Sequence, residues 1–134
     1  MILVDTNVLL DLVTDDPIWA PWSVDRLEAA ALEGPLLIND VVYAELAVRY
    51  AKIERLDEFV AAAGLIQAPI PKAALFLAGK AFTAYRKSGG SRTGVLPDFF
   101  IGAHAAVGGF PVLTRDSGRY RSYFPKLTLI TPET

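Results

Sequence analysis

The 134-residue sequence contains no cysteine, which excludes both a disulfide framework and a thiolate metal site. Histidine occurs once, at position 104, too little for a histidine-built zinc centre. No apolar run approaches the length needed to span a membrane. Met1 runs straight into an apolar segment, leaving no room for a charged leader and cleavage site, so a cytoplasmic protein with no membrane partner is expected. No glycine-rich turn follows that segment, which argues against a dinucleotide-binding domain. Bases are scarce in residues 1–79, which carry twelve acids against five bases. Residues 80–126 reverse the balance, with eight bases against only Asp98 and Asp116. The net charge of −2 conceals this division. The basic part is a solvated face, or a landing surface for phosphates or an acidic partner.

What is present suits one domain over residues 1–134, since 52% hydrophobic content is ample for a single core. Ile2-Leu3-Val4 shows no alternation and reads as a strand buried on both faces, as in a parallel sheet. It ends at Asp5, a charge that cannot stay unpaired in such a core and so marks the strand's exit. Thr6 or Asn7 is placed to cap a helix through Val13. Further helices are expected at Ser23–Leu32, Val41 to about Ala51 (capped by Asn39-Asp40), Glu54–Ala63, Pro71–Lys87 and Pro97–Val107. Strands are expected at Leu36–Ile38, Leu65–Ala68, Phe110–Thr114 and Leu127–Ile130, with a turn at Ser117-Gly118 and a flexible loop over residues 88–94. The alternation implies an α/β fold: a central, mainly parallel sheet with helices on both faces.

Four acids stand out by position. Asp5 and Asp116 leave the carboxyl ends of strands, where open parallel sheets bind ligands. Glu45 lies in an apolar stripe with Val41, Val42 and Val48, and Asp98 opens an almost uncharged helix. Each has an ordinary structural role open to it: a strand-to-helix turn for Asp5, an ion pair with Arg49 for Glu45, a helix cap for Asp98, an Asx-turn for Asp116. Together they make a better case. Four carboxylates in one cleft repel unless a divalent cation joins them, and an all-oxygen set points to Mg²⁺ or Mn²⁺. Such a site suits phosphoryl transfer, with Arg86, Arg92, Arg115 and Arg119 available to flanking phosphates.

The stretches Val4-Asp5-Thr6-Asn7, Glu45, Pro97-Asp98-Phe99-Phe100-Ile101-Gly102-Ala103 and Leu113-Thr114-Arg115-Asp116 resemble those of a PIN-domain ribonuclease. The chain is most similar to the VapC-type toxin of a toxin–antitoxin pair, and the resemblance covers essentially its whole length. It implies a single PIN domain and a metal-dependent endoribonuclease, with Asp5, Asp98 and Asp116 as metal ligands. Glu45 would ligate metal or orient the attacking water. Thr6, Asn7 and Thr114 would orient the carboxylates by hydrogen bonds. The resemblance also implies an RNA substrate, a cognate VapB-type antitoxin and a homodimer.

Other readings compete. A PIN fold used only to bind RNA or protein has no need for four repelling acids, whereas a metal-dependent DNA nuclease would use the same chemistry. A phosphoacceptor receiver domain would need adjacent acids after the first strand, and Asp5 stands alone. His104 reads as a core or interface residue, Asp11 as solvated, and Trp19 and Trp22 as packing, with an exposed partner-binding patch as the alternative for the tryptophans. Tyr120, Tyr123 and Phe124 read as packing over the last strand, with base stacking as the alternative.

Overall fold

The computed structural model describes residues 1–92 and 94–133. Among them five strands form one sheet: β1 (Ile2–Val4), β2 (Leu36–Ile38), β3 (Leu65–Gln67), β4 (Val112–Leu113) and β5 (Leu129–Ile130). Their spatial order is β3-β2-β1-β4-β5, and every pairing is parallel, so the expected mainly parallel sheet is wholly parallel. β1 is the central strand. Leu3 aligns with Leu37 on one side and Val112 on the other, and Leu3 and Val4 are fully buried. That two-sided burial is why the run shows no alternation.

Seven helices accompany the sheet among the described residues: α1 (Thr6–Val13), α2 (Ala20–Glu33), α3 (Asp40–Ala47), α4 (Ile53–Ala62), α5 (Lys72–Lys87), α6 (Leu96–Gly108) and α7 (Gly118–Tyr123). The chain winds outward from β1 through β2 to β3, then crosses back to add β4 and β5 on the other side of β1. Parallel crossovers are right-handed, so this reversal puts the helices of the two halves on opposite faces. It also makes the carboxyl edge between β1 and β4 a switch point, where adjoining loops diverge and leave a crevice. The Asp5 N–H donates to Leu113 O at 2.9 Å, tying the exit of β1 to β4.

Local chemistry explains several boundaries. Asn39 caps α3 as expected, its Oδ1 accepting the Val42 N–H at 3.0 Å. Its amide meets His104 Nδ1 at 3.2 Å, and both residues are buried, so of the core and interface positions expected for His104 it holds the core one. Gly109 ends α6 in the left-handed conformation (φ 72°), which glycine adopts without steric cost. On α6, the Phe124 ring lies where a Cβ on Gly102 would stand.

Some boundaries differ from expectation. α2 starts at Ala20, with Pro21 in its first turn, rather than at Ser23. α3 stops at Ala47 instead of about Ala51, because the Arg49 and Tyr50 N–H groups bond back three residues to Leu46 and Ala47. β4 and β5 are shorter than the expected strands, and α7 replaces part of the expected turn. The loop expected over residues 88–94 includes Thr93, which lies outside the described residues. The aromatics of α7 pack on helices more than on the last strand. Tyr123 meets Phe99 at 5.3 Å and Tyr85 at 6.1 Å between centroids, joining α5, α6 and α7. Trp19 and Trp22 pack edge-to-face at 6.1 Å. No helix among the described residues is long and apolar enough to cross a membrane.

Candidate active site

Asp5 is the residue at which β1 becomes α1. Its backbone is extended and occupies the N-cap position, yet its side chain makes no capping bond. Asp5 Oδ2 instead accepts from Thr114 Oγ1 at 2.8 Å and from the Tyr120 hydroxyl at 2.9 Å. Asp5 is only 5% exposed. Burial is the main reason its pKa rises from 3.8 to about 6, and the charge of Asp98 adds to it; the donated hydrogen bonds only partly oppose the rise. Neither Thr6 nor Asn7 caps α1 as expected. Thr6 is already helical, and both side chains are drawn to partners far along the chain.

Thr6 Oγ1 donates to Glu45 Oε1 at 2.7 Å, joining α1 to α3. The alternative open to Glu45, an ion pair with Arg49, does not form among the described residues. Glu45 is half-buried, and burial, followed by the charge of Asp98, raises its pKa against the lowering effect of Thr6. Asn7 reaches β4: its Nδ2 donates to Thr114 Oγ1 at 3.3 Å and its Oδ1 accepts the Arg115 N–H at 3.2 Å. Thr114 is fully buried and acts as a junction, since its Oγ1 also accepts the Asp116 N–H at 3.1 Å.

Asp98 stands in the first turn of α6 but caps nothing; Val95 holds the N-cap position. Its Oδ2 accepts from Arg119 Nε at 2.9 Å. Burial raises the Asp98 pKa, Arg119 opposes this, and Asp116 adds to it. Asp116 is exposed, and its Oδ1 accepts the Gly118 N–H at 3.3 Å, the turn expected of it. Asp98 is therefore the hub of the acids at this sheet edge, its charge felt by Asp5 and by Glu45 while it feels that of Asp116.

The four arginines divide. Arg115 forks onto Asp11, Nε to Oδ2 at 2.7 Å and Nη2 to Oδ1 at 2.9 Å, and its guanidinium lies 4.9 Å from the Trp19 ring centroid. Asp11 is 2% exposed and also accepts from Ser23 Oγ at 2.6 Å, so the expectation of a solvated Asp11 is corrected. A carboxylate this deep is tolerated because both oxygens are bonded. Arg119 is held by Asp98. Arg86 and Arg92 are exposed and form no ion pair among the described residues. Tyr120 does more than the packing expected of it. It is buried to 2% exposure, and Asp5, Asp98 and Glu45 all help to hold its phenol pKa well above 10. Its signal in the sequence is the polar tip of an aromatic four residues beyond Asp116. An apolar cavity of about 480 Å³, lined by residues including Leu77, Phe110, Phe124 and Leu127, takes none of the four acids into its walls.

The donor set fits a hard divalent cation in kind and in charge. It offers only oxygens, and Asp5, Glu45 and Asp98 are each raised by burial and by a neighbouring acid. As they stand, no three Asp, Glu or His side chains among the described residues converge as a ready-made cage. Arg119 occupies the Asp98 oxygen.

The sequence model of the PIN domain family matches residues 2–124 of this chain. No curated protein matches it. Among solved structures, the chain is similar to VapBC2 from Rickettsia felis bound to a DNA fragment from its promoter, with TM-score 0.74, 20% identity and 98% of each chain covered. It is also similar to FitAcB from Neisseria gonorrhoeae, with TM-score 0.70, 19% identity and 99% of each chain covered. DNA-bound VapBC from Salmonella typhimurium gives TM-score 0.70 and 18% identity over 97% of this chain and 96% of that one. At such identities the likeness is one of fold. The family match, spanning nearly all of the sequence, is what decides membership: this chain belongs to the PIN domain family.

Proposed function

We propose that the protein is a Mg²⁺- or Mn²⁺-dependent endoribonuclease, a hydrolase of RNA phosphodiester bonds. On this reading it is the toxin of a toxin–antitoxin pair, forms a homodimer and is inhibited by a VapB-type antitoxin. The observation that carries the nuclease reading is a buried Asp5, held by Thr114 and Tyr120 at the β1–β4 edge, within range of the charge of Asp98, which in turn couples to Glu45 and Asp116. PIN nucleases generally depend on a divalent metal. The toxin and antitoxin roles are supported by fold likeness to VapBC complexes.

Asp5, Asp98 and Asp116 would hold the cation. When bound, it would neutralise phosphodiester charge and make the attacking water more acidic. Thr114 and Tyr120 keep the Asp5 carboxylate oriented, as hydrogen-bonded ligands require. Glu45 suits the role of general base. It is half-exposed, Thr6 fixes one of its oxygens, and its raised pKa brings it closer to neutral pH. Arg86 and Arg92 remain available to phosphates along the bound strand.

The test is cleavage of labelled single-stranded RNA beside a matched DNA, by wild type and Asp5→Asn, with Mn²⁺ and again with EDTA. RNA cleavage needing both metal and Asp5 is the expected result. Equal cutting of the DNA would move the assignment to a nuclease that does not read the 2′-hydroxyl. No cleavage by a folded, metal-loaded protein would favour a binding module without turnover.

A further inference from the structure

Arg119 is a cation already seated on the candidate metal site. Its Nε lies 2.9 Å from Asp98 Oδ2, and among the described residues it is the only base paired with any of the four acids. The other bases of the same region are engaged elsewhere or pair with none of them: Arg115 with Asp11, Arg121 with Glu133. We propose that Arg119 is the site's resident counter-cation, and that a divalent metal binds by exchanging with its guanidinium on Asp98. This rests on the metal-dependent reading above.

Three features of the geometry favour exchange over a fixed pair. First, α7 is anchored by a different residue. Tyr120 is buried and bonded to Asp5, so the neighbouring Arg119 side chain can swing on its long stem while the helix stays in place. Second, the pair is partly solvated, with side-chain exposures of 26% for Arg119 and 32% for Asp98. Ion pairs at such exposure are weak and readily given up. Third, Arg119 offers one charge to one acid, whereas a divalent ion offers two charges and can also join Asp5, which Arg119 does not touch. Two cations crowded on Asp98 would repel, so occupancy by one disfavours the other. Once displaced, the guanidinium remains beside the site as a fork for a phosphate oxygen of the substrate.

The experiment is a Mg²⁺ titration read in two ways. Calorimetry gives the affinity of wild type, Arg119→Gln, Arg119→Lys and Asp98→Asn, and ¹⁵N NMR follows the Arg119 Nε–Hε resonance of wild type. Arg119→Gln is expected to bind Mg²⁺ about two- to fivefold more tightly, the range set by a partly exposed ion pair. Arg119→Lys should fall between the two, and Asp98→Asn should bind weakly. The Arg119 resonance should shift in step with saturation. Unchanged or weaker binding by Arg119→Gln would overturn the exchange, as would a resonance that stays put at saturation; Arg119 would then serve to hold Asp98 for the metal. If no form binds Mg²⁺, the metal-dependent reading falls and the exchange with it. Wild-type binding lost in Asp98→Asn but unaltered in Arg119→Gln removes the exchange alone.

Discussion

Replacing Asp5 with Asn should stabilise the protein in EDTA near neutral pH, and the gain should disappear in acid. Asp5 is 5% exposed and its pKa is raised from 3.8 to about 6. Between those values the folded protein keeps a proton that the unfolded chain has released. Stability therefore falls as pH rises through this window and is level above it. Every tenfold gain in proton affinity on folding corresponds to about 1.4 kcal/mol, so ionised Asp5 costs the fold about 3 kcal/mol. Asn removes the charge and keeps an oxygen for Thr114 and Tyr120, but its amide brings a donor with no acceptor prepared. Allowing about 1 kcal/mol for that leaves a net gain of about 2 kcal/mol. Urea unfolding in EDTA at about pH 7.5 should show the midpoint of Asp5→Asn higher by about 1 M. At about pH 4, where Asp5 is protonated in the fold, the two curves should nearly coincide. A variant less stable than wild type near neutrality, or a gap of the same size in acid, would refute the reasoning.

Three other substitutions probe the scaffold and the proposed base. Asp11→Asn leaves the Arg115 guanidinium without its carboxylate and should cost about 2 kcal/mol, the buried-pair penalty discounted for the partial exposure of Arg115. Urea unfolding measures this, and unchanged stability would mean the pair is dispensable. Gly102→Ala drives a methyl into the Phe124 ring; the overpacking, partly offset by alanine's better helix propensity, should cost about 1 kcal/mol in thermal unfolding. A rise in melting temperature would show that Phe124 moves aside freely. Thr6→Val removes the donor that lowers the Glu45 pKa, so the acidic limb of the cleavage-rate profile should move to higher pH. An acidic limb that stays where it was would remove Glu45 as the base.

The parallel sheet was legible because its evidence is local. Ile2–Val4 is apolar at every position, and the chain alternates short apolar runs with helical segments. The same locality put Asp5 at a strand exit and Asn39 at a cap, and both positions hold. What stayed hidden depends on residues far apart in the chain. Thr6 and Asn7 follow local capping grammar, but Glu45 and Thr114 compete for their side chains and win. Asp11 looks like a solvated helix residue until Arg115, 104 positions later, folds back onto it. α7 spans only six residues, too few for a helical period to emerge, and Arg121 and Ser122 separate its tyrosines. With that helix hidden, so were the hydroxyl Tyr120 gives to Asp5 and the guanidinium Arg119 gives to Asp98.

Uptake of a divalent cation by the carboxylates at the β1–β4 edge is the central claim. Anomalous diffraction from a crystal soaked in Mn²⁺ tests it most directly. The predicted result is a peak in ligand contact with Asp5 and Asp98, with the Arg119 guanidinium turned away from Asp98. Manganese found only elsewhere, or a soaked site still closed by the Arg119–Asp98 pair, would contradict it.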